Sequence, residues 1–212
     1  MTVGQLIDDI ELRLFGGKGS DDQEIDRRQI HVWLDQVNGF LLSQYIARRN
    51  GGRVPASCMT KFSCEAVETD TPLCYDGCIS YKYIQLPTSE DGNSIGILSL
   101  PEERGIVQVL RGVQPIYRLD NPAKVRITPN IRFGEQNAYF ARLGDKILLF
   151  NGNFPSFSKF EVFVVLSDTT NLADTDRYPT VEEILPAILD EVTKIGMAEL
   201  HSIYDVQDDG NQ

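Results

Sequence analysis

The stretch YPTVEEILPAILDEVTKIGMAELHSIY, residues Tyr178 to Tyr204, decides the fold because it has the pattern of a long amphipathic helix with a start signal. Thr180 and Glu183 have the spacing of a capping box, in which a hydroxyl and a carboxylate satisfy backbone N–H groups at a helix start. Apolar residues follow at the spacing of one helix face: Val181, Ile184, Leu185, Ile188, Leu189, Val192 and Ile195. Such a face needs a packing partner.

The other strong helical patterns lie in the first fifty residues. A first helix is predicted to begin at Thr2, where Thr2 and Gln5 repeat the capping box, and to end at Gly16 and Gly17. A second helix is predicted over residues 23–49, with apolar residues at helical spacing: Ile30, Trp33, Leu34, Val37, Leu41 and Tyr45. We therefore predict that the two ends of the chain pack together.

Between these helices, from Val54 to Ser167, the apolar period changes from about 3.6 residues to about 2, which is typical of strands. Eight strands are predicted: Thr60 to Ala66, Ile79 to Leu86, Ile95 to Leu98, Ile106 to Leu110, Pro115 to Arg118, Ala138 to Arg142, Lys146 to Phe150 and Lys159 to Leu166.

Two of these segments carry further information. In AYFARLGDKILLF, residues 138–150, Gly144 and Asp145 have the glycine-first chemistry of a tight hairpin turn. The run KFEVFVVLS, residues 159–167, is largely apolar on both faces, which predicts a central or interface strand.

The predicted fold class is therefore α+β, a helical bundle made from both chain termini that carries a long β-rich, antiparallel insertion. The discontinuous bundle domain is predicted to comprise residues 1–52 and 172–212, and the inserted domain residues 53–171. Residues 171–177 are polar and acidic and should form a loop that returns to the bundle. The acidic residues 205–212 are expected to be disordered unless a partner binds them.

The formal net charge of −11 argues against tight non-specific binding of nucleic acid, which needs clustered lysine and arginine. It is compatible with DNA that passes an acidic wall, but acidity that merely keeps the protein soluble is the favoured interpretation. No apolar run reaches the roughly 18 residues of a membrane span, so no membrane partner is expected. The amino terminus lacks signal-peptide features, and we expect a protein that is used without export.

The four cysteines, Cys58, Cys64, Cys74 and Cys78, fall in one short stretch. Without a secretion signal, disulfides are not the default. The spacing also lacks the paired C-x2-C arrangement of common zinc modules, so reduced structural thiols are expected and no metal site is predicted.

No catalytic or cofactor-binding residue is predicted. His31 and His201 both fall on predicted helices without a nucleophile motif beside them, and no phosphate-binding glycine loop is present. Pairs of adjacent carboxylates could serve as acid/base couples or as divalent-metal ligands, but adjacent helix residues point in different directions and a solvated surface is favoured. These pairs are Glu102-Glu103, Glu182-Glu183 and Asp190-Glu191.

The aromatic residues near the end of the β-rich segment admit two interpretations. They could form a stacking platform for bases or sugars, or the core of a β domain, and without interleaved arginine the core is favoured. These residues are Phe154, Phe157, Phe160 and Phe163.

Several segments resemble a known family when taken in order. They are EIDRRQIHVWLDQVNGFLLSQYIAR (24–48), CMTKFSCEAVETDTPLCYDGCISYKYIQLP (58–87), RGIVQVLRG (104–112), YFARLGDKILLF (139–150) and the D-x-D-x-YP of residues 174–179. The chain resembles the head-to-tail adaptor proteins of short-tailed phages, also called tail tubular protein A in one branch, and is most similar to the ring proteins of crAss-like phages.

The resemblance implies a virion structural protein without enzymatic activity, at the portal vertex and tail, assembled in the host cytoplasm. It implies a homo-oligomeric ring, of twelve copies, that binds the portal protein and the next tail ring or tail hub protein. DNA would pass through the lumen without specific binding during ejection. The alternative hypothesis is a ligand- or glycan-binding β module held on a helical stalk.

Overall fold

The computed structural model describes residues 1–16, 25–48, 53–68, 82–87, 96–100, 105–119, 138–150 and 158–209. The chain divides into two compact units. The helical unit comprises Met1–Cys58 and Leu166–Gln212, and the barrel unit comprises Met59–Val165.

The helical unit contains α1 (Val3–Phe15), α2 (Arg27–Arg48), a 3-10 turn (Ala56–Cys58) and α3 (Leu185–Asp209). The predicted start of α1 is confirmed. The Gln5 amide donates to the Thr2 hydroxyl over 3.3 Å, and the Thr2 amide donates to the Gln5 side chain over 3.0 Å. Gly16 ends α1 with a φ of 63°, a left-handed conformation that glycine adopts without steric cost.

The predicted start of α3 is wrong, because the helix begins at Leu185 and not beside Thr180. The Thr180 hydroxyl donates to Asn38 instead, and the Glu183 carboxylate accepts from the Tyr45 phenol over 2.6 Å. Tertiary partners have thus replaced the local cap. At its other end α3 continues to Asp209, so the disorder expected from residue 205 is also wrong up to that residue.

One apolar cluster contains residues from α1, α2, α3 and the segment before α3. Its buried members are Val3, Leu6, Ile7, Ile10, Ile25, Ile30, Leu34, Tyr178, Ile188, Leu189 and Val192. Gly196 allows α3 to approach closely, because a Cβ there would lie 2.8 Å from both methyl groups of Leu14 and 3.3 Å from the Trp33 ring. The helical unit is therefore held by burial of one shared apolar surface.

Seven strands of the described chain form a closed barrel in the order β1-β2-β6-β5-β4-β3-β7. Their bounds are β1 Thr60–Glu68, β2 Lys82–Gln85, β3 Ile106–Arg111, β4 Gln114–Arg118, β5 Tyr139–Leu143, β6 Lys146–Phe150 and β7 Lys159–Val164. These match seven of the eight predicted strands. The remaining predicted strand, Ile95 to Leu98, has no counterpart in the described part of the chain. Ile95 lies outside the described residues, and residues 96–100 contain no named strand. Barrel closure pairs every strand edge and was not predicted.

Six strand pairs are antiparallel, whereas β4 and β5 are parallel. The parallel pair departs from the predicted antiparallel insertion. Residues 119–138 separate β4 from β5 in the chain, and parallel neighbours need a longer connection than a hairpin does. The β5–β6 hairpin is confirmed, with Leu143 opposite Lys146 and Gly144 at a φ of 61°. β7 pairs with β1 and β3, but every strand of a closed barrel has two partners, so its predicted central or interface position stays a prediction.

The barrel core follows from alternation along the strands. Its fully buried residues include Ile84, Ile106, Val109, Ile147, Phe160, Val162 and Val164. Of the four phenylalanines considered above, Phe160 is in this core and Phe163 is half-buried, while Phe154 and Phe157 lie outside the described residues. Residues on the opposite strand face form a second apolar cluster of Leu119, Ala141, Leu148 and Phe150.

Three helices and a seven-stranded barrel among the described residues confirm the predicted mixed α+β class. The predicted domain bounds, 1–52 with 172–212 and 53–171, stay a prediction. Within the described part of the chain, no helix is long and apolar enough to cross a membrane.

Candidate functional site

A buried polar cluster joins α2 to residues 168–180, the segment before α3 that we call the connector. Its members are His31, Asp35 and Asn38 of α2 and Thr169, Tyr178 and Thr180 of the connector. The spacing of the three α2 residues places them on one side of the helix. The cluster therefore fixes the connector along one face of α2.

Asp35 is the principal acceptor of this cluster. Its Oδ2 accepts from the Thr169 amide over 2.8 Å, and its Oδ1 accepts from the Thr169 hydroxyl over 2.7 Å. The same Oδ1 accepts from the Tyr178 phenol over 3.0 Å. A buried carboxylate with three donors is stabilised in its charged form by hydrogen bonding.

Asn38 holds the other end of the connector. Its Oδ1 accepts from the Thr180 hydroxyl over 2.8 Å, and its Nδ2 donates to the Pro179 carbonyl over 3.5 Å. Asn38 and Thr180 are both buried. The chain entering α3 is thus bonded to α2 at two places.

Burial dominates the electrostatics of the cluster. Desolvation raises the pKa of Asp35 above its ordinary value, although the bonds from Thr169, the charge of His31 and the bond from Tyr178 each lower it. Burial likewise raises the pKa of Tyr178 well above 10, with a further increase from the neighbouring Asp35 charge. The phenol therefore keeps its proton and remains a donor.

The contact of His31 with Thr169 and Asp35 does not have the geometry of a catalytic triad. His31 Nε2 lies 2.8 Å from the Thr169 hydroxyl and 4.0 Å from Asp35 Oδ2, so one nitrogen faces both groups. A triad uses one ring nitrogen for the nucleophile and the other for the acid. Thr169 also donates its hydroxyl proton to Asp35 and is 1% exposed. This arrangement positions chain segments and offers substrate no nucleophile.

The connector also binds the start of α1. The Val3 amide donates to the Asp176 carbonyl over 3.0 Å, and the Gly4 amide donates to the Asp174 carbonyl over 2.9 Å. A Cβ at Gly4 would lie 3.1 Å from the Asp174 Cβ. The connector thus satisfies backbone donors that the first turn of a helix leaves open.

Ion pairs join the same elements at the surface. Arg27 of α2 lies 2.8 Å from both Asp8 and Glu11 of α1, and 3.9 Å from Asp174 of the connector. The hydrogen bond to Asp8 is the main cause of the raised pKa of Arg27. These exposed pairs contribute little free energy each and mainly fix orientation.

One side of α2 is exposed and uncharged. Val32, Gln36, Phe40 and Ala47 are all exposed and share a helix face, which we call the exposed α2 face. Phe40 is 63% exposed, more than any other large apolar side chain of the described helical unit. Phe40 and Val32 on one uncharged helix face make this face a candidate interaction surface.

The barrel unit has its own exposed apolar position at the β3–β4 turn. Arg111 lies opposite Gln114, and Gly112, with a φ of 59°, precedes Val113, which is 94% exposed. Tyr117 is exposed nearby on β4, with its ring 6.3 Å from that of Tyr139 on β5.

The structure separates the residues that sequence patterns singled out. His201 is exposed, and its Nδ1 contacts the Met197 carbonyl over 2.7 Å, far along the chain from His31. The acidic pairs at 182–183 and 190–191 are exposed, and the pair at 102–103 lies outside the described residues. No group of three or more candidate metal ligands is found among the described side chains.

Two of the four cysteines can be placed. Cys58 is buried in the helical unit, and Cys64 is buried in β1, where burial raises the pKa of its thiol. Cys74 and Cys78 lie outside the described residues. The predicted reduced state of the four thiols, without metal, stays a prediction.

Sequence reasoning missed Asp35, Asn38 and Thr169, because no motif connects them. A usable signal was present in α2, where a carboxylate and an amide at 35 and 38 interrupt an otherwise apolar pattern. Buried polar residues in such a pattern indicate partners elsewhere in the chain.

The family model described as phage tail ring protein 2 matches residues 5–212. None of the curated proteins matches the chain.

Proposed function

Since the chain belongs to the phage tail ring protein 2 family, we propose that its copies form a ring below the portal that joins the portal to the tail. The predicted relationship to the ring proteins of crAss-like phages is confirmed. The family match carries this proposal because it spans both units. Membership makes the protein a structural component of the phage tail and of an oligomeric assembly, and it favours a non-enzymatic role.

The helical unit would act as the rigid part of each copy. In this proposal residues 1–52 and 172–212 form the terminal bundle, and residues 53–171 form the inserted β-rich domain. The proposal is supported by the apolar cluster that α1, α2 and α3 share and by the connector, whose bonds reach both α1 and α2. A unit tied together in this way can present the same surface in every copy.

Identical copies would contact one another head to tail, because such contacts close into a ring when the rotation between neighbours is right. Twelve copies is the number that the resemblance implies. One side of the ring would bind the portal protein, and the other would bind the next tail ring or tail hub protein. Assembly of the ring on the portal would take place in the host cytoplasm.

Charge supports a role next to DNA during ejection. The helical unit contains 19 acidic and 9 basic residues, a formal net charge of −10, whereas the barrel unit contains 12 and 11, a net charge of −1. If the helical unit lines the lumen, its charge repels the phosphate backbone. DNA would then pass through the ring without specific binding.

The experiment is to mix the purified chain with the portal protein of the same phage, and to measure the masses and image the particles by electron microscopy. We expect a closed ring of this chain bound to one end of the portal. The portal alone serves as the control. Absence of the chain from purified virions, or a chain that never associates with portal or tail proteins, would contradict the proposal.

A further inference from the structure

The exposed surface of α2 lacks formal charge over five turns, which sets it apart from the rest of the helical unit. From Gln29 to Ala47 the single charged residue is Asp35, and Asp35 is buried. By contrast, α3 exposes Asp190, Glu191 and Glu199. A charge-free helix face on a unit of net charge −10 needs a physical explanation.

This face exposes two large apolar side chains as well as lacking charge. Val32 is 41% exposed and Phe40 63% exposed, one turn on either side of Gln36. An exposed phenylalanine on a helix gains free energy when another protein surface removes it from water. Buried aromatic residues at the centre of an interface commonly supply much of its binding energy.

The charges at the two ends of this face indicate what covers it. Arg28 and Arg48 are exposed, and neither forms a salt bridge with another described residue. With Arg27 and Asp35, they give α2 a formal charge of +2. α3 has six acidic residues and one lysine, a formal charge of −5. Arg27 is paired within its own copy, so Arg28 and Arg48 are the charges of α2 that remain for a neighbour, and their sign is opposite to the net charge of α3.

Within one copy, α2 and α3 already pack through their apolar sides, with Leu34 and Ile188 in the shared cluster. Their exposed sides remain available for a neighbour. A head-to-tail ring requires two different, complementary surfaces on each copy. An uncharged apolar face with basic ends and an acidic helix face meet this requirement.

We propose that the exposed α2 face of one copy packs against the exposed side of α3 of the next copy, with Phe40 at its centre. This inference rests on the proposed function, because it assigns the contact between copies in the ring. Arg28 and Arg48 lie near acidic side chains of the neighbouring α3. Glu199, which has no ion pair among the described residues, is available to them.

The first test measures self-association of the full chain by sedimentation and mass photometry over a range of concentrations. Phe40→Asp should raise the concentration needed for half-assembly by at least about tenfold, because it places a charge in the contact. Leu12→Asp is the matched control, since Leu12 is 57% exposed on α1 and should tolerate the same change. Circular dichroism and Trp33 emission check that both variants fold, and Val32→Asp provides a second variant of the same face.

The second test identifies the partner surface. A photo-crosslinking phenylalanine analogue is placed at position 40. It should crosslink to residues 185–202 of another copy, and a mixture of isotope-labelled and unlabelled copies distinguishes crosslinks between copies from those within one copy. Crosslinks to the barrel unit or to α2 of another copy would overturn the assignment, as would self-association that Phe40→Asp leaves unchanged.

The outcomes for the two proposals are distinguishable. A wild-type chain that stays monomeric at all concentrations overturns the α2–α3 contact, while association with the portal still tests the function. A ring that forms and survives both Phe40→Asp and Val32→Asp supports the function and rejects this contact.

Discussion

Asp35 in the middle of α2 accepts a hydrogen bond over 3.0 Å from the phenol of Tyr178, which lies 143 positions later in the chain. The same carboxylate accepts from the amide and hydroxyl of Thr169. One side chain therefore binds two points of the connector that leads into α3. This explains how the helical unit brings remote segments together with a polar contact as well as with apolar burial.

Asp35→Ala should destabilise the helical unit by about 3 kcal/mol, because Thr169 and Tyr178 would keep buried donors without an acceptor. Urea unfolding followed by the emission of Trp33, the single tryptophan of the chain, measures the free energy of unfolding. The control is Asp190→Ala, which removes an exposed carboxylate and should cost less than about 1 kcal/mol. Equal effects of the two variants would show that the polar cluster contributes little.

Asp35 should also give stability a defined pH dependence. Burial raises its pKa in the folded state, so the folded protein binds this proton more tightly than the unfolded chain. Its contribution to stability is complete below about pH 4 and decreases as the pH rises through the folded-state pKa. The measurement compares the free energy of unfolding of the wild type with that of Asp35→Asn at each pH. The difference, wild type minus variant, should decrease as the pH rises from about 4 towards neutral. A difference that rises over this range would mean that the pKa is lowered.

The groups that face Asp35 must be separated from it in this measurement. His31 and Tyr178 are its titratable neighbours, and the pKa of Tyr178 is raised well above 10, so Tyr178 does not titrate in the acidic range. Repeating the comparison in a His31→Gln background removes the imidazole beside Asp35. The decrease of the unfolding free-energy difference with rising pH should persist in that background.

Gly196→Val should destabilise the helical unit by about 2 kcal/mol, although it removes a glycine from a helix interior. The new side chain would collide with the methyl groups of Leu14, which lie 2.8 Å from the Cβ position. In a Leu14→Ala background the cost should shrink, giving a coupling energy of about 1 kcal/mol or more. Ala198→Val, at an exposed site of the same helix, is the control. If the destabilisation by Gly196→Val and that by Leu14→Ala simply add in the double variant, the two side chains are not in close contact.

Gly105→Ala should loosen the barrel unit. A Cβ there would overlap the Leu98 carbonyl oxygen, and this backbone is held in place by the hydrogen bond from the Leu98 amide to the Val165 carbonyl. Hydrogen exchange should become faster in peptides that cover β3 and β7, while peptides of α2 keep their protection.

Gly112→Ala is the comparison for this substitution. Its Cβ would meet open space, and its positive φ alone should cost about 1 to 2 kcal/mol. A larger loss of protection in Gly112→Ala than in Gly105→Ala would contradict the steric explanation.

Patterns that depend on neighbours in sequence were predicted well. The capping box of Thr2 and Gln5, the end of α1 at Gly16 and the Gly144 hairpin are local, because each uses groups within a few residues. Seven strand positions were predicted for the same reason, since alternation records which side of a strand is buried. The start of α3 was predicted wrongly because Thr180 bonds Asn38, a residue 142 positions away.

The amino-acid sequence by itself determined the mixed α+β class, the order of the elements, the net acidity of the chain and, through its resemblance to known ring proteins, the family. Tertiary structure decided the closure of the barrel, the parallel pairing of β4 with β5 and the assembly of Asp35, Asn38, Thr169 and Tyr178 into one buried cluster. The physical reason is that periodicity states which side of an element is buried but not what buries it. Strand partners and buried acceptors are chosen by long-range packing, where each donor removed from water must find its acceptor.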